Sequence, residues 1–393
     1  MIKLLHLITG LSVGGAETML FKLLSNIDRK AFEPAVLSLT DIGPIGREIR
    51  SLGIPVQALG MRPRRPNPVG LFRLTRRLCG DRPDIVQTWM YHADLVGALG
   101  ANLAGGIPTV WNIRHTDLSV QLNKRSLVWT AKACARISPW VPARIICCSE
   151  ASRRTHESFG YASEKMQVIP NGFDLLTFKP DAAARLSVRQ ELGIPERALI
   201  IGLVARFNPQ KDHRNFIQAA ARVAGHSRDV QFLLCGDGVT WENDKLVQWI
   251  RSGAIERRCH LLGRRSDLPR LTAALDIATS SSLAEGFPNA IGEAMACGIP
   301  CVVTDVGDSA WIVGDTGKVV PSGNSEALAK ACLELIECGE TRRSELGIAA
   351  RCRAEDRFNL PTIVRQYEDL YTQIAGQRSP THLHKTAGII ENP

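Results

Sequence analysis

Two glutamates, Glu285 and Glu293, stand eight residues apart around a Gly-Phe-Pro-Asn turn. A helix is predicted to begin near Asn289, which leaves Glu285 in a loop and points Glu293 inward. A carboxylate accepts hydrogen bonds from two neighbouring hydroxyls, and the free amides of a helix start hold phosphate. The spacing therefore predicts a site for a phosphorylated ligand with adjacent hydroxyls. The alternative is a helix charge pattern in which Glu293 is solvated.

Two cations precede this segment in the stretch V-A-R-F-N-P-Q-K-D. Arg206 follows a predicted strand, and Lys211 stands five positions later. Both are placed to face the mouth of a cleft, where paired cations hold a pyrophosphate and neutralise the charge that builds on it as a leaving group. The alternative is two solvated surface charges.

A glycine turn, T-G-L-S-V-G-G-A-E, follows the first predicted strand, and its Gly14 and Gly15 open a helix. Glycines let the backbone approach a ligand, and exposed amides at a helix start favour phosphate. The turn is neither a dinucleotide fingerprint nor a Walker A motif, because the glycine spacing differs and no Lys-Ser/Thr follows. A tight turn that needs small residues explains it equally well.

The elements around these residues alternate between short aliphatic strands and helices, which is typical of parallel βαβ units. In the first half, strands are predicted at 3–9, 33–38, 55–59, 85–89, 109–112, 144–149 and 166–169, and helices at 16–26, 68–77 and 92–104. In the second half, strands are predicted within 198–207, 230–238, 259–264, 276–280 and 300–304, and helices at 212–224, 289–296 and 360–375.

Two such alternations in series predict an α/β fold with two Rossmann-like, doubly wound sheets that face a cleft. Ligands of such sheets bind beyond the carboxyl ends of the strands. We expect a first domain at 1–172, which ends at the turn Asn171-Gly172, and a second at 173–376, whose last helix at about 360–375 is placed to pack back on the first. The segment 377–393 has little core-forming pattern and is expected to be a loose tail.

Composition fits a globular protein. The 393 residues are 45% hydrophobic and 22% charged, which is ordinary for two folded domains and argues against disorder. No run approaches the roughly 20 apolar residues of a membrane-spanning helix, and Gly14, Gly15 and Glu17 interrupt the apolar N-terminus where a signal peptide would be cleaved. Eleven cysteines without a C-x-x-C pair indicate reduced thiols. We therefore expect a cytoplasmic protein.

The net charge of +9 is distributed unevenly. Residues 1–172 carry a balance of +10, and the rest of the chain carries −1. The basic residues are concentrated in two segments, which contain Arg62, Arg64, Arg65, Arg73, Arg76 and Arg77, and then Lys124, Arg125, Lys132 and Arg136. Such basic, partly apolar segments lie on anionic membrane surfaces, or they are solvated helices. Nucleic acid is a poor third possibility, because no binding module or stacking aromatic accompanies them.

Taken in order along the chain, G-G-A-E, R-F-N-P-Q-K-D, C-G-D-G, L-L-G-R-R-S-D and E-x7-E resemble the retaining glycosyltransferases of family 4. The resemblance covers nearly the whole chain, and Q-T-W-M-Y-H-A-D-L-V-G is similar to segments of bacterial surface-polysaccharide transferases. It implies the GT-B architecture, in which two Rossmann-like domains face a central cleft. It also implies a hexosyltransferase that takes its sugar from a nucleoside diphosphate.

The same resemblance implies roles for individual residues. Arg206 and Lys211 would bind the donor diphosphate, Glu293 the ribose hydroxyls, and Glu285 the hydroxyls of the transferred sugar. His115, in W-N-I-R-H-T-D, matches a cleft histidine that contacts this sugar. The other donor-binding positions implied are Gly14, Gly15, Arg264, Gly286, Phe287, Asn289 and Ala290.

The chemistry implied is transfer with retention and without a metal or other cofactor. Cations and helix amides would stabilise the departing nucleoside diphosphate, and no D-x-D motif occurs. Uridine diphosphate is the expected carrier, with guanosine diphosphate next. The basic first half would face a glycan or lipid-linked acceptor of cell-surface polysaccharide synthesis. The protein would then be a peripheral protein on the inner face of the cytoplasmic membrane.

Two other functions remain open. A sugar-nucleotide epimerase or a phosphorylase would keep the fold and change the chemistry, and a scaffold would keep the fold without catalysis. An epimerase turns over its nucleotide sugar without an acceptor, and a phosphorylase consumes phosphate or needs a cofactor lysine. A scaffold would lose the donor residues, which are present here.

Overall fold

The structure is a computed structural model and describes residues 1–61, 68–119 and 123–377. Within these residues the strands form two sheets, one of seven strands in the order β3-β2-β1-β4-β5-β6-β7 and one of six in the order β10-β9-β8-β11-β12-β13. The first sheet contains β1 (Ile2–Ile8), β2 (Phe32–Ser38), β3 (Val56–Ala58), β4 (Ile85–Trp89), β5 (Thr109–Ile113), β6 (Pro142–Cys147) and β7 (Met166–Val168). The second contains β8 (Leu199–Val204), β9 (Val230–Cys235), β10 (Cys259–Leu261), β11 (Ile277–Ser280), β12 (Cys301–Thr304) and β13 (Lys318–Val320).

Helices connect the strands, as parallel pairing requires. They are α1 (Gly15–Asn26), α2 (Gly43–Ser51), α3 (Pro68–Asp81), α4 (Tyr91–Leu103), α5 (Arg125–Ile137), α6 (Glu150–Ser158), α7 (Ala182–Leu192), α8 (His213–His226), α9 (Asp244–Ser252), α10 (Leu268–Ala273), α11 (Asn289–Ala296), α12 (Ser309–Val313), α13 (Ser325–Glu337), α14 (Gly339–Phe358) and α15 (Leu360–Gly376). Each sheet starts in its centre, extends to one edge, and then returns to extend the other way. The predicted doubly wound parallel sheets are therefore confirmed.

The strand ends differ from the sequence prediction in two places that matter for the sites. The strand predicted at 144–149 ends at Cys147, because Ser149 caps α6 by accepting a hydrogen bond from the Ser152 amide at 2.9 Å. The strand predicted within 198–207 is shorter than this range and ends at Val204, so Arg206 follows the strand, as predicted for this residue. The three-residue strand β13 was not predicted.

The chain divides into two compact units. The first comprises Met1–Asn112, Ile137–Ile145 and Val364–Pro393, of which 364–377 are described at the C-terminal end; the second comprises Ile113–Arg136 and Ile146–Ile363. The boundary predicted after Gly172 stays a prediction. Residues 378–393 of the predicted tail lie outside the described residues. No helix in the described ranges has the length and apolarity needed to cross a membrane.

In the first unit the last helix packs against the sheet. The hydroxyl of Tyr371 donates to the Gln87 side chain on β4, and the amide of Asn112 donates to the Tyr367 hydroxyl at 3.2 Å. Tyr367 and Tyr371 are fully buried. Large buried aromatic side chains contribute strongly to stability, so residues 364–376 belong to the core of the first unit.

In the second unit the sheet is buried on both faces. Ile200 belongs to one apolar cluster and its neighbour Ile201 to the other, because successive side chains of a strand point to opposite faces. This is why the strands read as continuous aliphatic runs rather than as alternating patterns. Because both faces of this sheet are covered by apolar side chains, the polar residues at the carboxyl ends of its strands lie at the edge of the sheet.

Candidate active site

The second sheet has its topological switch point between β8 and β11. These two strands are neighbours, yet β8 leads to β9 on one side and β11 leads to β12 on the other. The loops that follow β8 and β11 therefore diverge and leave a crevice at the carboxyl edge of the sheet. Open α/β sheets bind their ligands at this place.

The loop after β8 is fastened to the loop after β11 by hydrogen bonds. Ser281 Oγ donates to the carbonyl oxygens of Lys211 at 2.9 Å and of Asp212 at 3.1 Å, and the Leu283 amide donates to the Gln210 carbonyl at 2.8 Å. Asp212 has a φ of 44°, which is uncommon for a residue other than glycine. Left-handed backbone of this kind persists only where its surroundings fix it. The position of Lys211 is thus determined by backbone contacts.

Lys211 and Glu285 form an ion pair across the switch point. Lys211 Nζ donates to Glu285 Oε1, and Ser282 Oγ donates to the same oxygen at 2.7 Å. The side chains are 25% and 10% exposed, so water screens the pair only in part. In this arrangement the lysine can bind a diphosphate, and the neighbouring carboxylate can accept a hydrogen bond from a hydroxyl group.

Two glycines permit the close packing around Glu285. Gly307 has a φ of 57°, and a Cβ there would lie 2.1 Å from the Glu285 carbonyl oxygen. A Cβ on Gly286 would lie 2.9 Å from Thr116 Oγ1 and 3.5 Å from Cys148 Sγ. Side chains at either position would displace the loop that carries the glutamate.

The E-x7-E segment is arranged as its sequence predicted. Helix α11 begins at Asn289, and Glu293 is half-buried on this helix. Phe287 is buried and stacks on Phe173 with ring centroids 5.9 Å apart, which anchors the turn. Ala290 lies in the first turn of α11, where backbone amides are not used by the helix itself.

The side chain of Asn289 also forms a hydrogen bond that fixes the start of α11. Its Oδ1 accepts a hydrogen bond at 2.6 Å from Nδ2 of Asn171, whose own Oδ1 accepts from the Arg114 guanidinium. The predicted turn at Asn171 therefore contacts the helix start directly.

Arg206 and Arg264 differ from the other predicted residues, because both are exposed in loops. Arg206 lies two residues beyond β8 and takes no part in the Lys211–Glu285 pair. Arg264 follows Gly263, whose carbonyl accepts a hydrogen bond from the Gly236 amide at 2.8 Å. The structure thus brings Lys211 and Glu285 into contact, while the donor roles of the two arginines stay predictions.

His115 lies in a loop that fixes its protonation pattern. Its Nε2 is 2.8 Å from Oδ1 of Asn123, and the side-chain amide of Asn123 donates to the carbonyls of Asp117 at 2.8 Å and Ser119 at 3.1 Å. Since the amide nitrogen is a donor to both carbonyls, the Asn123 oxygen accepts from His115 Nε2–H. Neutral His115 therefore presents Nδ1 as a hydrogen-bond acceptor.

The glycine turn belongs to the first unit. Gly14 caps α1 with extended backbone at a φ of −162°, and its carbonyl accepts from the Thr18 amide at 2.9 Å. A Cβ on Gly14 would meet the end of the Glu17 side chain at 2.4 Å, which is flexible. The predicted contact of Gly14 and Gly15 with phosphate stays a prediction.

Three contributors were not predicted from the sequence. Ser282 donates a hydrogen bond to the Glu285 carboxylate, Asn123 orients His115, and Gly307 leaves room for the loop that carries Glu285. Of these three, only Ser282 had a sequence signal, namely the run of serines that precedes Glu285. Within the described residues no group of three His, Cys, Asp or Glu side chains is arranged to hold a metal ion.

Comparison with known protein families gives matches to both halves of the chain. The model described as Glycosyltransferase Family 4 matches residues 13–175, and the model described as Glycosyl transferases group 1 matches residues 198–338. A putative glycosyltransferase EpsF of Bacillus subtilis (strain 168) is 28% identical over 312 residues, which cover 77% of this chain and 79% of that protein.

Two further similarities concern proteins with named sugar nucleotides. UDP-Gal:alpha-D-GlcNAc-diphosphoundecaprenol alpha-1,3-galactosyltransferase of Escherichia coli is 27% identical over 311 residues, covering 77% of this chain and 78% of its own. The crystal structure of Anabaena Alr3699/HepE with UDP-glucose has a TM-score of 0.82 and 26% identity, covering 95% of this chain and 100% of that one. The expected GT-B architecture is confirmed by such neighbours.

Proposed function

Because this chain belongs to the glycosyltransferases, with a family 4 domain followed by a group 1 domain, we propose that it transfers a hexose-type sugar from a nucleoside diphosphate to a glycan or lipid-linked acceptor of cell-surface polysaccharide synthesis. UDP is the favoured carrier and GDP the next. The UDP-glucose complex of the Anabaena protein and the UDP-Gal in the name of the Escherichia coli relative support this choice.

The observation that carries the proposal is the Lys211–Glu285 pair at the switch point of the second sheet. When the sugar–phosphate bond breaks, positive charge develops at the anomeric carbon and negative charge on the departing diphosphate. Lys211 and the amides at the start of α11 are suited to the diphosphate, and Glu285 is suited to the sugar hydroxyls.

Retention and independence of metal are further parts of the proposal. Lys211 and Arg206 would supply the positive charge that a divalent cation supplies elsewhere, so the departing diphosphate needs no metal. The acceptor hydroxyl would attack from the face that the diphosphate leaves, and its proton would pass to a departing phosphate oxygen. Glu293 would hold the ribose.

The test is a thermal-stability screen of the purified chain in EDTA, with uridine, guanosine, adenosine and thymidine diphosphates and their sugars. We expect one nucleoside diphosphate to raise the melting temperature, because a ligand that binds only the folded state stabilises it. The shift should disappear in Lys211→Ala and in Glu293→Ala. No shift with any nucleotide would favour the scaffold function, and turnover of a nucleotide sugar without an acceptor would favour the epimerase.

We also propose that a surface of α3 and α4 contacts an anionic membrane. This α3–α4 surface consists of the exposed residues Val69, Phe72, Arg73, Arg76, Leu99 and Leu103. Phe72 is 65% exposed and Leu103 62%, which is high for large apolar side chains. Apolar side chains interspersed with arginines match the interface of an anionic bilayer. The predicted arginines at 62, 64 and 65 lie outside the described residues.

Flotation with phosphatidylglycerol vesicles at low salt tests the α3–α4 surface. The double variant Arg73→Glu/Arg76→Glu should lose binding, since each basic residue near an anionic surface contributes about 1 kcal/mol. Arg222→Glu/Arg228→Glu, which changes the net charge equally on exposed residues of the second unit, is the control. Equal binding of both variants, or no flotation of the unmodified chain, would remove the membrane proposal.

A further inference from the structure

A cavity of about 490 Å³ opens beside Glu285 within the second unit. Glu285 is the only residue predicted to bind the donor that lines this cavity among the described residues. The rest of the lining consists of Asp117, hydroxyl residues such as Thr116, Ser119 and Thr155, and apolar side chains. A volume of this order accommodates a small ligand. The cavity therefore adjoins the predicted sugar position without including Lys211 or Glu293.

The chemistry of the lining indicates a neutral, hydroxyl-rich ligand. In the part of the chain that the structure describes, no Lys, Arg or His lines the cavity, whereas two carboxylates and several hydroxyls do. A phosphate would be repelled by the carboxylates and would find no cation to bind. Sugar hydroxyls donate to carboxylates and accept from hydroxyl groups, and apolar side chains suit the faces of a sugar ring.

One polar atom of the lining is buried and lacks a partner within the described ranges, namely Thr116 Oγ1. Asp117 beside it is half-buried, and its Oδ1 accepts from the Ser119 amide at 2.6 Å and from the Asn123 side-chain amide at 3.5 Å, which fixes the carboxylate. Buried polar atoms are normally satisfied, so an unpaired atom beside a cavity points to a ligand that supplies the missing hydrogen bond.

We propose that this cavity binds the neutral terminal sugar of the acceptor, and that Asp117 accepts a hydrogen bond from one of its hydroxyls. The inference rests on the proposed transfer reaction, since an acceptor must approach the sugar held near Glu285. The inference goes further than the transfer reaction, because it excludes an acceptor whose terminal sugar is phosphorylated. Asp117 is a specificity residue for the acceptor, whereas Lys211 binds the donor.

The experiment is saturation-transfer NMR of the purified full chain with UDP present. The probes are methyl α-glucoside, methyl α-galactoside and methyl N-acetyl-α-glucosaminide, with glucose 1-phosphate as the charged comparison. We expect at least one neutral glycoside to bind and glucose 1-phosphate not to compete with it. Asp117→Ala should weaken that binding about 10- to 100-fold, which is the usual value of a hydrogen bond to a charged group. UDP affinity should be unchanged.

A steric variant keeps the test decisive if Asp117→Ala disturbs its loop. Ser158 lines the cavity and is exposed at the last residue of α6, so Ser158→Trp should fill the cavity and abolish glycoside binding. Ser163→Trp, at an exposed position outside the cavity, is the control. Preference for glucose 1-phosphate, loss of UDP affinity in Asp117→Ala, or no glycoside binding at all would overturn the proposal. Failure of UDP to bind the unmodified chain would instead count against the donor function, and glycoside binding could still be measured.

Discussion

The switch points of the two sheets share one topology and differ in chemistry. In the second sheet the loops after β8 and β11 carry the Lys211–Glu285 ion pair at the edge. In the first sheet the corresponding strands, β1 and β4, carry neutral buried groups near their carboxyl ends. His6, two residues before the end of β1, and Trp89, the last residue of β4, are fully buried, with Trp89 Nε1 3.3 Å from His6 Nδ1. The same strand order thus positions a charged pair in one sheet and a packed polar network in the other.

The network in the first sheet also binds the last helix. Tyr371 contacts Gln87 on β4, and burial lowers the pKa of His6 to about 3, so that it stays neutral at physiological pH. Neutral groups can be buried at a modest cost when they are hydrogen-bonded, whereas charges cannot. The difference teaches that one strand order can place either a charged pair or a packed neutral network at the switch point, depending on the residues that its strands and loops carry.

The largest expected effect comes from removing the cation of the second switch point. Lys211→Ala should lower the transfer rate about 100- to 1,000-fold, because loss of one group that stabilises a developing charge has this cost. The fold should persist, since Ser281 binds backbone carbonyls of residues 211 and 212 and not the lysine side chain. The measurement is the initial rate with the nucleotide sugar found in the screen.

The control for this variant is Lys318→Ala, which removes a half-exposed lysine paired with Glu334. Exposed pairs contribute little, so its rate should match that of the unmodified chain. A rate in Lys211→Ala near that of the control would sink the assignment of the charged switch point.

The second prediction concerns pH and the neutral switch point. Asp94 in α4 is fully buried and accepts from Thr88 Oγ1 at 2.5 Å; burial raises its pKa from 3.8 to about 7. Between these values the folded chain keeps a proton that the unfolded chain loses, so Asp94 lowers stability as pH rises through this window. Asp94→Asn removes that loss, so its stability relative to the unmodified chain should rise from pH 4 to pH 7 and then stay constant.

Urea unfolding at several pH values measures this difference, with Asp229→Asn, an exposed position, as the control. Burial lowers the pKa of His6, and that of His156 and His213 to about 4, and these shifts act in the opposite direction. They are common to both proteins and cancel in the comparison. A difference that does not change with pH would show that Asp94 titrates alike in the folded and unfolded chains.

The third prediction compares the helices that follow the two switch points. A Cβ on Gly97 in α4 would lie 2.5 Å from Thr88 Cγ2, and one on Gly292 in α11 would lie 1.9 Å from Phe173 Cζ. Both Gly97→Ala and Gly292→Ala should therefore destabilise by about 1–3 kcal/mol through overpacking. Gly225→Ala in α8, where no atom lies within 4 Å of the new Cβ, should stabilise by up to about 1 kcal/mol. Denaturant midpoints give the order, and equal values for all three would refute the packing argument.

Much of this comparison was predictable from the sequence, because strands and helices have distinct periods. The strand at Ile85–Trp89 and the helix at Asn289–Ala296 were predicted to the residue. The charged groups were predictable too, since Lys211 and Glu285 lie in the loops that follow predicted strands. What the sequence could not show was which neutral side chains hold them. Ser282 and Asn123 act through hydrogen bonds whose partners depend on loop conformation and not on a repeating pattern.

The smallest expected effect tests Asn123, which fixes the tautomer of His115 through a 2.8 Å contact. Asn123→Ala should lower the turnover rate about tenfold, because the hydrogen bond that orients His115 is worth up to about 1.4 kcal/mol, which corresponds to a factor of ten in rate. Asn123→Asp should instead place a carboxylate beside the imidazole, favour its charged form, and move the pH dependence of the rate to higher pH. Asn102→Ala, an exposed position on α4, should change neither quantity. If Asn123→Asp altered the rate without shifting its pH profile, the asparagine would support the loop and not the histidine.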